Sequence, residues 1–283
     1  MGLPSPLNPL ITIIDHSKTQ NNSSQNQKLV LDFYNISIKR SFKGQLKYGK
    51  NNYDFDEGTM SFIAPNQIIA VDNEEDRNND GWSLLFHPDL IRRYPLTKTI
   101  KNYGFFSYEI NEALHLSDEE EKTIEIIVKN IQNEINSRLD QFSQDVIVTN
   151  LELLLSYSNR FYNRQFLTRK MATNDLLSRF EMLLEHSFSE NSDLTLPTVE
   201  KLANELNVSA SYLSDMLRNL TGQNTQQHIH SKLIEKAKEI LITTRLSVSE
   251  IAYQLGFEYS QSFSKLFKSK TNVSPLEFRA SFN

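Results

Sequence analysis

The C-terminal third of this chain says the same thing twice. One stretch reads Thr198-Val-Glu-Lys-Leu-Ala203, then Leu206-Asn-Val208, then Ser211-Tyr-Leu-Ser214 and Leu217-Arg218, ending in Thr221-Gly222. A second, 49 to 50 positions later, reads Ser247-Val-Ser-Glu-Ile-Ala252, then Leu255-Gly-Phe257, then Gln261-Ser-Phe-Ser264 and Phe267-Lys268, ending in Thr271-Asn272. A repeat in register means one supersecondary unit built twice, so any fold assigned to one copy must suit both.

Each copy follows one physical logic. A hydroxyl at Thr198 or Ser247 caps a short helix, and Glu250 completes a capping box in the second copy. An apolar residue and a small one, Leu202-Ala203 or Ile251-Ala252, turn inward, and the alanine lets a second helix cross closely. Asn207-Val208 or Gly256-Phe257 then makes a tight turn, with Asn or Gly accepting the left-handed backbone it needs. The second helix buries Leu213, Met216 and Leu217, or Phe263, Leu266 and Phe267. This is the pattern of a helix-turn-helix, placed at about 198–220 and about 247–270. Between them Ile229, Leu233, Ala237, Ile240 and Leu241 recur at helical spacing, predicting a linker helix over about 225–244. A rigid spacer suits a duplex, whose successive major-groove faces lie about 34 Å apart.

Upstream the texture differs. Residues 1–27 are polar and rich in Asn, Ser and Gln, and are expected to form a loose arm. From 28 to 116 come short β-branched and aromatic runs: Leu29–Phe33, Ile36–Ile38, Met60–Ile63, Ile68–Val71 and Trp82–Phe86. Glycine, proline and asparagine punctuate them, which predicts an antiparallel sandwich or small barrel. Ser117-Asp-Glu-Glu120 fits a capping box, and Ile124, Ile127, Val128, Ile131 and Ile135 follow with a 3.6-residue period. A second helix over about 144–162 places Ile147, Asn150, Leu151, Leu154, Tyr157 and Phe161 mostly on one side. Residues 117–165 are thus paired helices whose apolar stripes either pack on the β unit or form a homodimer interface. Residues 166–174 read as a linker and 175–283 as the domain holding the repeat. The fold class is α+β multidomain.

Composition narrows the function. There is no cysteine among the 283 residues, which excludes disulfides, thiolate metal sites and a cysteine nucleophile. No basic n-region opens the chain and no apolar run approaches the ~20 residues of a membrane span, so a cytoplasmic protein without membrane association is expected. The net charge is −5, yet residues 193–283 hold ten basic and nine acidic side chains, leaving the acidity to the first 192. Charge alone does not mark a nucleic-acid binder here. Of six histidines only His87 lies well inside the β region, and His228 and His230, two apart on a helix, read as surface groups. With no His-x-His followed by a Glu in the β region, no phosphate-binding Gly-rich loop and no nucleophile elbow, neither a metal, a cofactor nor catalysis is expected.

The residues Ser247-Val-Ser-Glu-Ile-Ala252, Gly256-Phe257, Phe263-Ser-Lys-Leu-Phe-Lys268 and Ser274-Pro-Leu-Glu-Phe-Arg279 resemble the C-terminal signature of AraC/XylS-type bacterial transcription regulators. The resemblance covers about 175–283. The upstream order is similar too, and Gly81-Trp-Ser-Leu-Leu-Phe-His-Pro-Asp-Leu90 resembles a stretch common in such N-terminal domains. It implies a cupin-like β-barrel or sandwich that senses an effector, dimerisation through the adjacent helices, and double-stranded promoter DNA as partner, with RNA polymerase a further partner of an activator. Three positions depart from the family pattern. Asn272 replaces a usual glycine, Leu233 a common basic residue, and Asp215 stands where a base-reading polar group is frequent. An acid there repels phosphate but accepts from cytosine N4, so the first motif is expected to bind more weakly than the second.

Helical geometry then selects the outward positions. The candidate base-reading residues are Ser211, Tyr212, Ser214, Asp215, Ser260, Gln261 and Lys265, with Ser264 on the same face. Gln261 suits adenine and Lys265 suits guanine O6/N7. Arg218 and Lys268, later on each helix, and the helix starts at Thr198 and Ser247 are the phosphate candidates. Phe33, Tyr48, Tyr53, Phe62 and Trp82 either line an effector pocket or form core. The competing function is a sensor of a small molecule or partner protein that no longer binds DNA.

Overall fold

The computed structural model describes residues 7–18, 27–40, 58–71, 80–108, 112–137, 140–168, 170–188 and 196–282. The chain forms two compact units, Met1–Thr168 and Arg169–Asn283.

In the first unit, β1 (Ile11–Asp15), β2 (Gln27–Val30), β3 (Tyr34–Lys39), β4 (Thr59–Ile63), β5 (Ile68–Val71) and β6 (Gly81–Phe86) precede two short helices, α1 (Pro88–Ile91) and α2 (Leu96–Thr99). β7 (Leu114–His115), α3 (Asp118–Asn136) and α4 (Ser143–Thr168) follow. The main sheet is antiparallel in the order β1-β6-β3-β4-β7, and β2 pairs separately with β5. Register aligns Ile36 with Leu84 and Phe62, and Ile38 with Trp82 and Met60. Because side chains alternate across a strand, these residues share one face. α3 and α4 cover that face: Phe62 packs against Tyr162 of α4 with ring centroids 6.0 Å apart, and the Trp82 indole donates to Glu125 Oε1 of α3 at 2.7 Å. On the other face hydroxyls pair, Ser37 with Ser61 at 2.7 Å, and Ser83 meets His16 Nε2 at 2.8 Å.

Two expectations change here. Among the described residues the strands make an open sheet and a separate ladder, not a closed barrel; the helices give the sheet's apolar face its partner, so closure is not needed to bury it. The arm expected over 1–27 carries β1, which pairs with β6 along its length, and Ile11 is fully buried. Its Ile-Thr-Ile-Ile run was masked by the polar residues around it.

The capping box at Ser117 and Glu120 is present, and the isoleucines and the valine of the α3 stripe are all buried. α4 likewise buries Ile147, Leu151, Leu154 and Phe161. Both predicted stripes are therefore spent within the unit, as α3 and α4 pack along each other and on the sheet. The segment expected as a linker, 166–174, is helical wherever it is described: α4 runs to Thr168, and α5 spans Lys170–Ser187.

The second unit continues with α6 (Val199–Leu206), α7 (Ala210–Thr221), α8 (Thr225–Thr243), α9 (Val248–Gln254), α10 (Ser260–Thr271) and α11 (Pro275–Ala280). α6–α7 and α9–α10 are the two copies of the repeat. The backbone repeats as faithfully as the sequence. Asn207 and Gly256 both take positive φ, 58° and 83°, in the two turns. Val208 N–H reaches back to Ala203 O at 3.1 Å, and Phe257 N–H to Ala252 O at 2.9 Å. α8 buries Ile229, Leu233, Ala237, Ile240 and Leu241 and packs on α7 at one end and on α9 and α11 at the other. Its C-terminal half shares a core with Ile251, Ala252, Leu255, Phe263 and Phe267. Leu233 is 1% exposed, so a basic residue there would bury a charge. One helix thus belongs to both half-cores, which fixes the two motifs to a common spine.

Candidate nucleic-acid interface

Each second helix of a motif is held by the core beneath it, and that decides which side faces outward. On α7 Leu213, Met216 and Leu217 are completely buried; on α10 Phe263 and Phe267 are, with Leu266 half-buried beside them. The opposite faces carry the residues selected from the sequence, but the two faces differ.

On α10, Gln261, Lys265 and Lys268 are exposed, and Ser260 and Ser264 are half-buried. Among the described residues Gln261 and Lys265 make no side-chain hydrogen bond or ion pair. Ser262, Ser269 and Lys270 are exposed as well and were not among the sequence candidates. Tyr259 stands at the start of α10, 62% exposed and without a side-chain cap bond. An aromatic in a turn gives no periodic signal, so the sequence pattern passed over it.

Of the candidates on α7, Arg218 is exposed, while Ser211, Tyr212, Ser214 and Asp215 are half-buried. Ser209 caps the helix by accepting from Tyr212 N–H at 3.2 Å. The Ser214 hydroxyl lies 3.0 Å from Thr225 Oγ1, and Thr225 is fully buried at the start of α8. Ser214 therefore ties α7 to α8. Arg218 Nη1 donates to Asp215 Oδ1 at 2.7 Å, and Asn219 Nδ2 donates to the Asp215 carbonyl at 2.8 Å.

The two helix starts also differ. Thr198 Oγ1 accepts from Lys201 N–H at 3.2 Å. At Ser247 the box closes in both directions: Glu250 N–H donates to the hydroxyl at 3.2 Å and Glu250 Oε2 accepts from Ser247 N–H at 2.7 Å. Those hydrogen bonds hold the Glu250 carboxyl below its ordinary value. A carboxylate already occupies the Ser247 amide, so this start is less open to phosphate than its sequence implied.

His228 and His230 are not plain surface groups. Each is half-buried: His228 Nε2 lies 2.8 Å from Thr221 Oγ1 with its ring edge-on to Phe180, and His230 Nε2 lies 2.8 Å from Gln226 Nε2. Burial pushes both imidazoles below their usual value, favouring the neutral ring.

The described aromatic residues among those expected to line an effector pocket or form core contact neighbours within the unit. Tyr48 and Tyr53 lie outside the described residues. Phe62 packs on Phe105 at 4.5 Å, Trp82 bonds Glu125, and Phe33 meets His87 edge-on at 5.2 Å. An open hollow of about 510 Å³ lies along α3, lined by Asp118, Glu121, Lys122, Glu125 and Ile126, and Glu125 is the residue that Trp82 bonds. No helix among the described residues is long and apolar enough to cross a membrane.

A family model described as a helix-turn-helix domain matches residues 202–281. An uncharacterized HTH-type transcriptional regulator in the cgkA 5′ region of Pseudoalteromonas carrageenovora is 32% identical over 96 residues, covering 34% of this chain and 57% of that protein. The HTH-type transcriptional activator RhaS of Salmonella schwarzengrund is 31% identical over 133 residues, covering 47% of this chain and 46% of that protein. This chain thus spans just over half the length of the first relative and just under half of the second. Among solved structures, the C-terminal domain of the two-component response regulator yesN from Fusobacterium nucleatum is 33% identical, with a TM-score of 0.32, covering 35% of this chain and 93% of that one.

Proposed function

We propose that this chain, whose residues 202–281 match a helix-turn-helix domain and whose C-terminal signature resembles the AraC/XylS type, is a sequence-specific regulator of transcription that grips promoter DNA through α7 and α10. The observation that carries the reading is the repeat itself, two backbone-matched motifs on one spine helix, each with a polar outer face. In this reading α10 enters a major groove with Gln261 and Lys265 at base edges and Lys268 on phosphate, and α7 approaches the adjacent groove. One polypeptide then does what paired helix-turn-helix subunits do.

The first unit is the regulatory part. It is read as a cupin-like domain that takes a small-molecule effector, an assignment supported by its antiparallel sheet and its place ahead of the motifs. The homodimer reading draws support from apolar side chains left outside the intramolecular stripes: Ile126 on α3, Phe142 before α4, and Val146 and Leu153 on α4. RNA polymerase is the further partner if the chain activates.

Selection from a randomised duplex library with the full chain tests the function. Enrichment of one sequence, bound with affinity that falls steeply with salt, is expected. A chain that enriches nothing is a sensor without DNA binding.

A further inference from the structure

The two motifs present different charge to a polyanion. From Val199 to Thr221 the chain carries two basic and three acidic side chains: Lys201 and Arg218 against Glu200, Glu205 and Asp215. From Val248 to Thr271 it carries three lysines, Lys265, Lys268 and Lys270, all on α10, and two acids, Glu250 and Glu258, both ahead of that helix. On α7 the one cation is already engaged, since Arg218 donates to Asp215 one turn earlier. The Ser214 hydroxyl on the same helix is held by Thr225.

Resting on the DNA-binding reading, we infer that the two motifs grip unequally and that Asp215 sets the difference. α10 supplies the base reading and most of the phosphate neutralisation. On α7 the Asp215 carboxylate occupies Arg218 and presents an anion to the backbone that the helix must approach. If Arg218 swings to a phosphate, the Asp215 carboxylate loses that ion pair while it stands near the phosphates, so the new ion pair is offset by a repulsion. Asp215 is a residue that limits affinity in the first half-site and leaves discrimination to the second.

The test uses the full chain and the duplex it selects from a randomised library. Asp215→Asn keeps the side-chain shape and removes the charge; Asp215→Ala reads the same way should the first variant fold poorly. Loss of the carboxylate is expected to tighten binding about tenfold, the effect of one charge-assisted hydrogen bond. The slope of log affinity against log salt steepens by about one, as for one more neutralised phosphate. Arg218→Ala placed on top of Asp215→Asn abolishes that tightening. Unchanged or weaker binding in both Asp215 variants overturns the inference, and weaker binding with an altered base at one position assigns Asp215 to cytosine N4 instead. A wild-type chain that selects no duplex refutes the DNA-binding reading itself and is a separate outcome.

Discussion

Asn272 closes α10 in the same left-handed backbone conformation, φ 63°, in which Gly222 closes α7, φ 78°. Their amides make the same bond, to Lys268 O at 2.9 Å and to Arg218 O at 3.0 Å. The asparagine that departs from the family pattern is thus a second solution to one backbone requirement, since Asn tolerates this region better than residues with larger or branched side chains. Asn272→Ala is expected to cost about 1 kcal/mol and Asn272→Gly to cost nothing. Urea denaturation reads both, and an alanine variant as stable as the glycine variant contradicts the assignment.

Phe263 and Phe267 are completely buried, their centroids 5.8 Å apart, in the core that joins α8, α9 and α10. Phe263→Ala leaves a cavity that α8 cannot fill, because α8 is also anchored on α7. A loss of roughly 3–5 kcal/mol is expected in chemical denaturation. A loss below about 1 kcal/mol would mean that the second motif is not packed on the spine helix.

Lys265 and Gln261 are exposed and take no part in this core. Lys265→Ala and Gln261→Ala should each weaken specific DNA binding by about 1–3 kcal/mol while leaving the melting temperature nearly unchanged. Gel shifts on the selected duplex decide. Wild-type affinity in both variants removes α10 from the groove.

Glu250 and Glu277 each close a capping box, at Ser247 and Ser274, and hydrogen bonds to those residues hold both carboxyls below the ordinary value of 4.5. A carboxyl depressed by folding contributes stability that is fully present above its unfolded value and is lost as pH falls through its folded one. Melting temperature is therefore expected to drop below about pH 4.5 more steeply in the wild type than in a Glu250→Gln, Glu277→Gln variant, whose amides cap without titrating. Parallel acid profiles for the two proteins would contradict this.

Val146 and Leu153 are 42% and 45% exposed on α4, on the side away from its buried stripe. Val146→Glu with Leu153→Glu is expected to convert a dimer into a folded monomer in sedimentation. An unchanged sedimentation coefficient excludes this face as the dimer contact.

The sequence was most legible where physics is local and repeated. Ser117, Thr198 and Ser247 cap helices through neighbours three residues away, and the positive φ at Asn207 and Gly256 follows from residue type. The buried sides of α7, α8 and α10 followed from spacing alone. What escaped was settled by distant partners. Ile11–Asp15 becomes a strand only because β6 offers an edge 67 to 75 positions later. Ser214 reads as an outward hydroxyl until Thr225 is placed beside it, and His228 as a surface ring until Phe180 is. Among the described residues the sheet is open, with α3 and α4 against its apolar face, an arrangement that no strand pattern encodes.

Hydroxyl-radical footprinting of the full chain on its selected duplex measures most directly whether the repeat is a double grip. Two protected patches are expected on one face, about 34 Å apart along the axis, with Lys265→Ala raising the protein concentration needed to protect both. A single patch, or two patches on opposite faces of the duplex, contradicts the account.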